Sequence, residues 1–284
     1  IFCGINNFDE SILSGHRKIT GVAEDISLQE TIDTALKLHP GTKEIVVIGR
    51  TVLPADRANR EAFLSLIKRY RQSVAFTFWD DLLANDLRNR LPSLQSGSVV
   101  FINGLTSGDT GQQMLYGETT RLIRESSKVP LYSLWDVYLG YGIIGGKLVS
   151  GYLQGKFAGE LAVRVLRGED PDKIPVIRSE SANKFMFDHH ELSRFGLSLK
   201  DLPDGSEVIN TPPSFYRINK VYIWGGVVSL LIVSCVVLVL GINMLARKRA
   251  EEAAKRLARE QAVIADIGRI ISSSLNIEEI YARF

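Results

Sequence analysis

From residue 1 to about residue 203, short apolar runs alternate with stretches whose apolar residues recur every three to four positions. Residues 1–5, 44–48, 74–78, 98–102 and 130–134 are apolar runs bounded by turn residues, and they read as strands. Between them, 28–38 sets Leu28, Ile32, Ala35 and Leu36 close to a helical period and stops at Pro40-Gly41. Residues 57–70 carry Ala62, Phe63, Leu66 and Ile67 on one face; 81–91 ahead of Pro92 and 112–124 read as further helices. This alternation predicts an α/β fold, with parallel sheet covered by helices.

The pattern then loosens. Residues 138–146 (YLGYGIIGG) hold too much glycine for a helix interior, and 147–152 reads as extended. Residues 155–166 form a strong helix with Ala158, Leu161, Ala162, Val165 and Leu166 in register, closed by Gly168. A turn between Pro171 and Pro175, a short strand at 185–187 and a short helix at 190–195 follow. These complete a domain spanning 1–210, and 211–220, with Thr211-Pro212-Pro213, reads as a stiff connector.

Residues 221–245 carry no charge. As a helix they would extend roughly 37 Å, enough to cross a hydrocarbon core of about 30 Å. Tyr222 and Trp224 stand at the start, and Arg247, Lys248 and Arg249 follow the end. That asymmetry puts 1–220 outside an inner membrane, in the periplasm, and 246–284 in the cytoplasm. Residues 246–275 read as a cytoplasmic signalling helix. Within it Leu257, Ile264 and Ile271 are spaced by heptads, accompanied by Ala253 and Ile267, which predicts a parallel coiled coil and a homodimer. Residues 276–284 (NIEEIYARF) read as the start of a further domain, with a capping-box-like Asn276 and Glu279. No export signal precedes 1–5, although the segment must be exported, so sequence upstream is expected.

Two stretches carry a family resemblance. QGKFAGELAVRVLRGEDPDKIPV (154–176) is an Ala-rich helix with a glycine stop and a proline-bracketed turn, and NKFMFDHHELSRFGLSLKDLP (183–203) follows it. Together with 107–111 and 130–136, they resemble the type-1 periplasmic binding proteins, in particular the substrate-binding proteins of ABC transporters. The resemblance implies two parallel-sheet lobes closing on a small solute, with residues 1–5 as the last strand of an incomplete first lobe. The tail IADIGRIISSSLNIEEIYARF is similar to the opening helix of a GAF domain in bacterial signalling proteins. The combination implies the sensing part of a two-component histidine kinase. A diguanylate cyclase sensor and a membrane-tethered receptor of an ABC transporter are the alternatives.

Composition narrows the chemistry. The 284 residues carry a net charge of +2, which gives no reason to expect a nucleic-acid partner. Cys3 and Cys235 cannot staple the fold, because Cys235 lies within the apolar stretch. His189 and His190 are adjacent and have no third ligand nearby, and no phosphate loop or nucleophile elbow is present. No catalytic residue, metal or cofactor is therefore expected.

Ligands of open parallel sheets bind at the carboxyl ends of strands. That rule selects Trp135 and Asp136 after 130–134, a stacking face beside a carboxylate suited to an amine-bearing organic solute. A core Trp with a helix-capping Asp is the plainer alternative. Asp109, with Thr106 and Thr110, follows 98–102, where capping of helix 112–124 competes with ligand contact. Tyr141 and Gly142 stand where the chain could return between lobes, where a hinge glycine competes with ligand contact, and Asn6 and Thr51 follow two earlier strands. Trp79-Asp80 repeats the aromatic–acid pair.

Overall fold

Strands β1 (Phe2–Asn6) and β2 (Gly21–Glu24) pair in parallel as a two-stranded sheet in the computed structural model, which describes residues 1–6 and 8–274. The Ile177 backbone adds to the free side of β2, exchanging bonds with Gly21 and Ala23. After β2 come helix α1 (Leu28–Leu38), β3 (Glu44–Gly49), α2 (Pro54–Tyr70), β4 (Ala75–Asp80), α3 (Ala84–Arg90), β5 (Ser98–Asn103), α4 (Tyr116–Ser126) and β6 (Leu131–Ser133). Then follow β7 (Gly145–Val149), α5 (Gly151–Leu166), α6 (Ser179–Ala182), β8 (Asn183–Asp188), α7 (His189–Arg194) and β9 (Glu207–Ile209). Strands β3 to β9 form a second sheet in the order β4-β3-β5-β6-β7-β8-β9, parallel throughout except between β7 and β8.

Alternation along the central strands sorts their side chains to two faces. Ile45, Val47, Val99, Phe101, Tyr132 and Leu134 meet α1, α2 and α7 through Ile32, Phe63 and Leu192. Val46, Ile48, Val100, Ile102 and Leu131 meet α3 and α4 through Leu87, Leu122 and Ile123. Each such side chain contributes about 1.5–3 kcal/mol on burial, which is why the central strands contain few polar positions. On the first face His39 Nε2 lies 3.0 Å from the Tyr132 hydroxyl, and burial pushes the imidazole pKa down to about 4. A third, smaller core of Val22, Leu161, Ile174 and Ala182 joins the two-stranded sheet to α5 and α6.

Several expectations are corrected. Residues 147–152 are not one extended stretch: β7 ends at Val149, and α5 begins at Gly151 because Ser150 caps it by accepting from Leu153 N at 3.4 Å. Helix α3 starts at Ala84 rather than residue 81, since Asp81 sits at φ 59° in the turn after β4. Helix α4 starts at Tyr116 rather than 112, because Gly108 N donates to the Gln112 carbonyl across a closed loop. The sheet is mostly rather than wholly parallel, and β2 and β9 are strands that the apolar pattern does not announce.

The chain divides after Thr211 into two units. In the second, one helix, α8 (Phe215–Ser274), takes in part of the predicted connector and runs on through the expected crossing and inner helix. It starts inside the predicted connector, where the Ser214 hydroxyl accepts from Arg217 N at 3.2 Å. Its apolar stretch is exposed, and the helix is long and apolar enough to cross a membrane. The predicted 276–284 segment lies outside the described residues.

Candidate functional site

The strand order creates a switch point. Strand β3 leads into α2 on one face of the large sheet, while its neighbour β5 leads into α4 on the other. Loops leaving adjacent strands in opposite directions open a crevice at their carboxyl ends, where doubly wound folds hold ligands. Arg50 follows β3 at that edge, Asn103 ends β5, and Trp135-Asp136 follow β6.

Three of the sequence-selected residues meet where the two sheets adjoin. Glu24 ends β2, and its Oε1 accepts from Trp135 Nε1 at 2.8 Å and from Asn6 Nδ2 at 3.1 Å. Asp136 Oδ2 accepts from Gly151 N, the first residue of α5, at 3.1 Å, and the Ser150 hydroxyl donates to the same carboxylate. One turn into α5, Gln154 accepts from Gly4 N at 3.3 Å and donates to the Ala23 carbonyl at 3.0 Å, tying β1 and β2 to the helix. Burial pushes the Glu24 carboxyl up; the bonds from Trp135 and Asn6 partly offset this, and the charge of Asp136 adds to it. Burial raises Asp136 as well, against the bonds from Ser150 and Gly151.

The other selected residues stand elsewhere. Thr51 donates to Asp81 through its amide at 3.0 Å and its hydroxyl at 2.6 Å, and these bonds hold the Asp81 carboxyl below its usual range. Both residues line a hollow of about 410 Å³ with Arg57, Arg60 and Asp80. The Trp79-Asp80 pair does not act as one: Trp79 packs toward the α3 face, while Asp80 binds Arg60 at 2.7 Å. Asp109 accepts from Asn85 N at 2.7 Å and Arg88 at 3.1 Å, so it caps α3 rather than the helix that follows it in sequence. Thr106 is buried, with its hydroxyl 3.2 Å from that of Thr119, and Thr110 bonds Gln112. Tyr141 lies under the Arg121 guanidinium at 5.1 Å. A larger hollow, about 630 Å³, is lined by Glu10, His16, Asp172 and Arg178 and includes none of these residues.

Glu24 is the central residue that sequence reasoning missed. A half-buried Trp N–H needs an acceptor, but Asp136 next door is the one that the sequence suggests, and nothing in it marks Glu24, 111 positions away. The carboxyl edge has a second unforeseen feature. Helices α2, α3 and α4 each begin after an exposed leucine, Leu53, Leu83 and Leu115, at a position that usually takes Ser, Thr, Asp or Asn. Leucine offers no side-chain acceptor, so the acidic residue three positions on supplies the side-chain bond to the start of each helix. Asp56, Asp86 and Glu118 accept from the leucine amides at 3.2, 3.2 and 2.9 Å. Favourable capping gives way there to apolar surface around a polar edge.

No protein-family model and no curated protein matches the chain. Among solved structures, it is similar to the ligand-free, open form of CD0873, a substrate binding protein with adhesive properties from Clostridium difficile. That likeness has 16% identity and a TM-score of 0.54 over 73% of this chain and 70% of that one. It is also similar to an ABC domain in complex with L-Trp from Streptococcus pneumonia (17%, TM-score 0.49, 67% and 63% of the two chains). A conserved domain protein from Vibrio cholerae is a third (14%, TM-score 0.48, 66% and 62%). The chain thus has an α/β fold like that of a substrate-binding protein, with mostly parallel sheet flanked by helices.

Proposed function

We propose that the Ile1–Thr211 unit binds a small organic solute outside the membrane and that α8 anchors it there, as a membrane-tethered substrate-binding receptor. The observation that carries this reading is the meeting of Asn6, Glu24, Trp135 and Asp136 at the carboxyl ends of β1, β2 and β6. A flat indole beside two carboxylates raised by burial suits a solute with an amine.

The chain has three tryptophans, so Trp79→Phe with Trp224→Phe leaves Trp135 as the reporter. In the full chain in detergent, a solute from an amine, amino-acid and sugar panel is expected to shift Trp135 emission. At a hundredfold over Kd it should add about 2.7 kcal/mol of stability, several degrees in Tm. A panel that moves neither signal overturns the receptor reading.

A second reading, the sensing part of a histidine kinase or diguanylate cyclase, is favoured by α8. The helix continues unbroken past Arg247–Arg249 to Ser274, farther than a tether requires. Solute binding would then bias a helix pair only by the difference in affinity between its two states. The pair's seam would hold Leu257 and Ile264, both exposed along α8, with Ile271 one heptad on. Ile264→Asp would bury a charge in that seam, at a cost of several kcal/mol. Cysteine crosslinking between α8 helices in membranes is expected to fall severalfold in the variant, and unchanged crosslinking removes the seam.

A further inference from the structure

The switch point between β3 and β5 carries two buried polar atoms that the fold leaves without a hydrogen-bond partner among the described residues. Gly49 and Asn103 are paired neighbours across these strands, so Arg50, the next residue, stands beside the end of β5. The Arg50 guanidinium has one ionic contact among the described residues, Nε to Asp56 Oδ2 at 3.7 Å, too long for a hydrogen bond. Its Nε is buried without a hydrogen-bond partner. Asn103 is 2% exposed, and its Oδ1 is likewise buried and unpartnered. Asp56 is already engaged in capping α2 through Leu53 N. Leaving a buried donor and a buried acceptor unmatched costs about 1–3 kcal/mol each, a cost that a fold does not sustain at a structural position without return.

We propose that this crevice is the subsite for a carboxylate bearing a hydrogen-bond donor on the adjacent carbon, an α-amino or α-hydroxy carboxylate. The inference rests on the receptor reading and names the class of solute. Arg50 would take the carboxylate with charge-assisted bonds, and Asn103 Oδ1 would accept from the neighbouring amine or hydroxyl. The chemistry fits the spacing: adjacent strands stand about 4.8 Å apart, and the two functional groups of such a ligand sit on neighbouring carbons. Strand β6 is the next neighbour beyond β5, so the rest of the ligand would run toward Trp135 and Asp136.

The probes are the common free amino acids and the matching 2-hydroxy acids. For each one that binds, the amide and the decarboxylated amine are tested too, on the full chain in detergent by calorimetric titration. At least one acid is expected to bind, with its amide and decarboxylated forms at least tenfold weaker. Arg50→Gln is expected to lose at least tenfold in affinity while the unliganded Tm stays within a few degrees of wild type. Arg50→Lys, which keeps the charge beside Asp56, should fall between the two, and Asn103→Ala should lose preference for the amino or hydroxy acid over the plain carboxylate. Amines or neutral solutes that bind equally well to wild type and Arg50→Gln would overturn the subsite and leave the receptor reading standing. Equal binding of an acid and its amide would do the same. Absence of any solute effect on Trp135 would overturn both.

Discussion

Gly145→Ala is expected to destabilise the Ile1–Thr211 unit by about 3–5 kcal/mol, dropping its Tm by roughly 10 °C. Gly145 opens β7 at φ 143°, a conformation that only glycine adopts without strain. A Cβ there would come within 2.1 Å of the Met186 carbonyl oxygen and 2.6 Å of the Phe187 ring. The obstruction is the backbone of β8, so it yields only if the antiparallel pairing of β7 with β8 opens. Gly146 doubles the constraint: at φ 147°, its Cβ would lie 2.5 Å from the Thr31 methyl group on α1. The consequence reaches the site, because β7 leads directly into Ser150, the residue that caps α5 and donates to Asp136. Thermal unfolding followed by circular dichroism of the full chain in detergent measures the effect. A Tm within 2 °C of wild type would mean that β7 and β8 are not packed as described.

The same glycines show where sequence reasoning reaches and where it stops. The stretch YLGYGIIGG was readable as unfit for a helix, but not as the start of the one strand that turns the sheet antiparallel, since that depends on β8, some forty residues later. Strands β3 and β5 were legible because burial on both faces writes continuous apolar runs into them. Helix α1 was legible because its single buried face writes a helical period. Strand β2 was not: Gly21, Val22, Ala23 and Glu24 make a short run whose strand character comes from β1 on one side and Ile177 on the other. The rule that ligands gather at carboxyl ends of strands selected Trp135, Asp136 and Asn6, which the fold brings together. It could not supply Glu24, because Trp135 is joined to it across 111 positions. Asp109 was selected for ligand contact, with a cap of the following helix as the alternative; it instead caps α3 behind it.

Affinity for an amine-bearing solute is expected to weaken as the pH falls from 7 toward 4, and Asp136→Asn is expected to flatten that profile. Glu24 and Asp136 are both held above the ordinary carboxylate range, chiefly by burial, and in Glu24 also by the charge of Asp136. A carboxyl raised in the folded state binds its proton more tightly there than in the unfolded chain. Its contribution to stability is therefore present below the unfolded pKa and is lost as pH rises through the folded one. Once ionised, the empty pair works against the fold, and an ammonium group placed beside it offsets the repulsion. Protonation on the acid side removes that attraction, so binding and pH are linked with this sign. The unliganded Asp136→Asn protein should be at least as stable as wild type at pH 7, because the amide oxygen still accepts from Gly151 N without adding charge. Its affinity for the tightest amine of the panel should fall at least tenfold. Glu24→Ala should weaken binding further, since it also strands the Trp135 and Asn6 donors that fix the indole. Calorimetric titrations at pH 7, 6, 5 and 4 on wild type and both variants test the linkage. If affinity in Asp136→Asn matches wild type at every pH while its unliganded Tm drops, Asp136 serves α5 as a cap and the amine is held elsewhere.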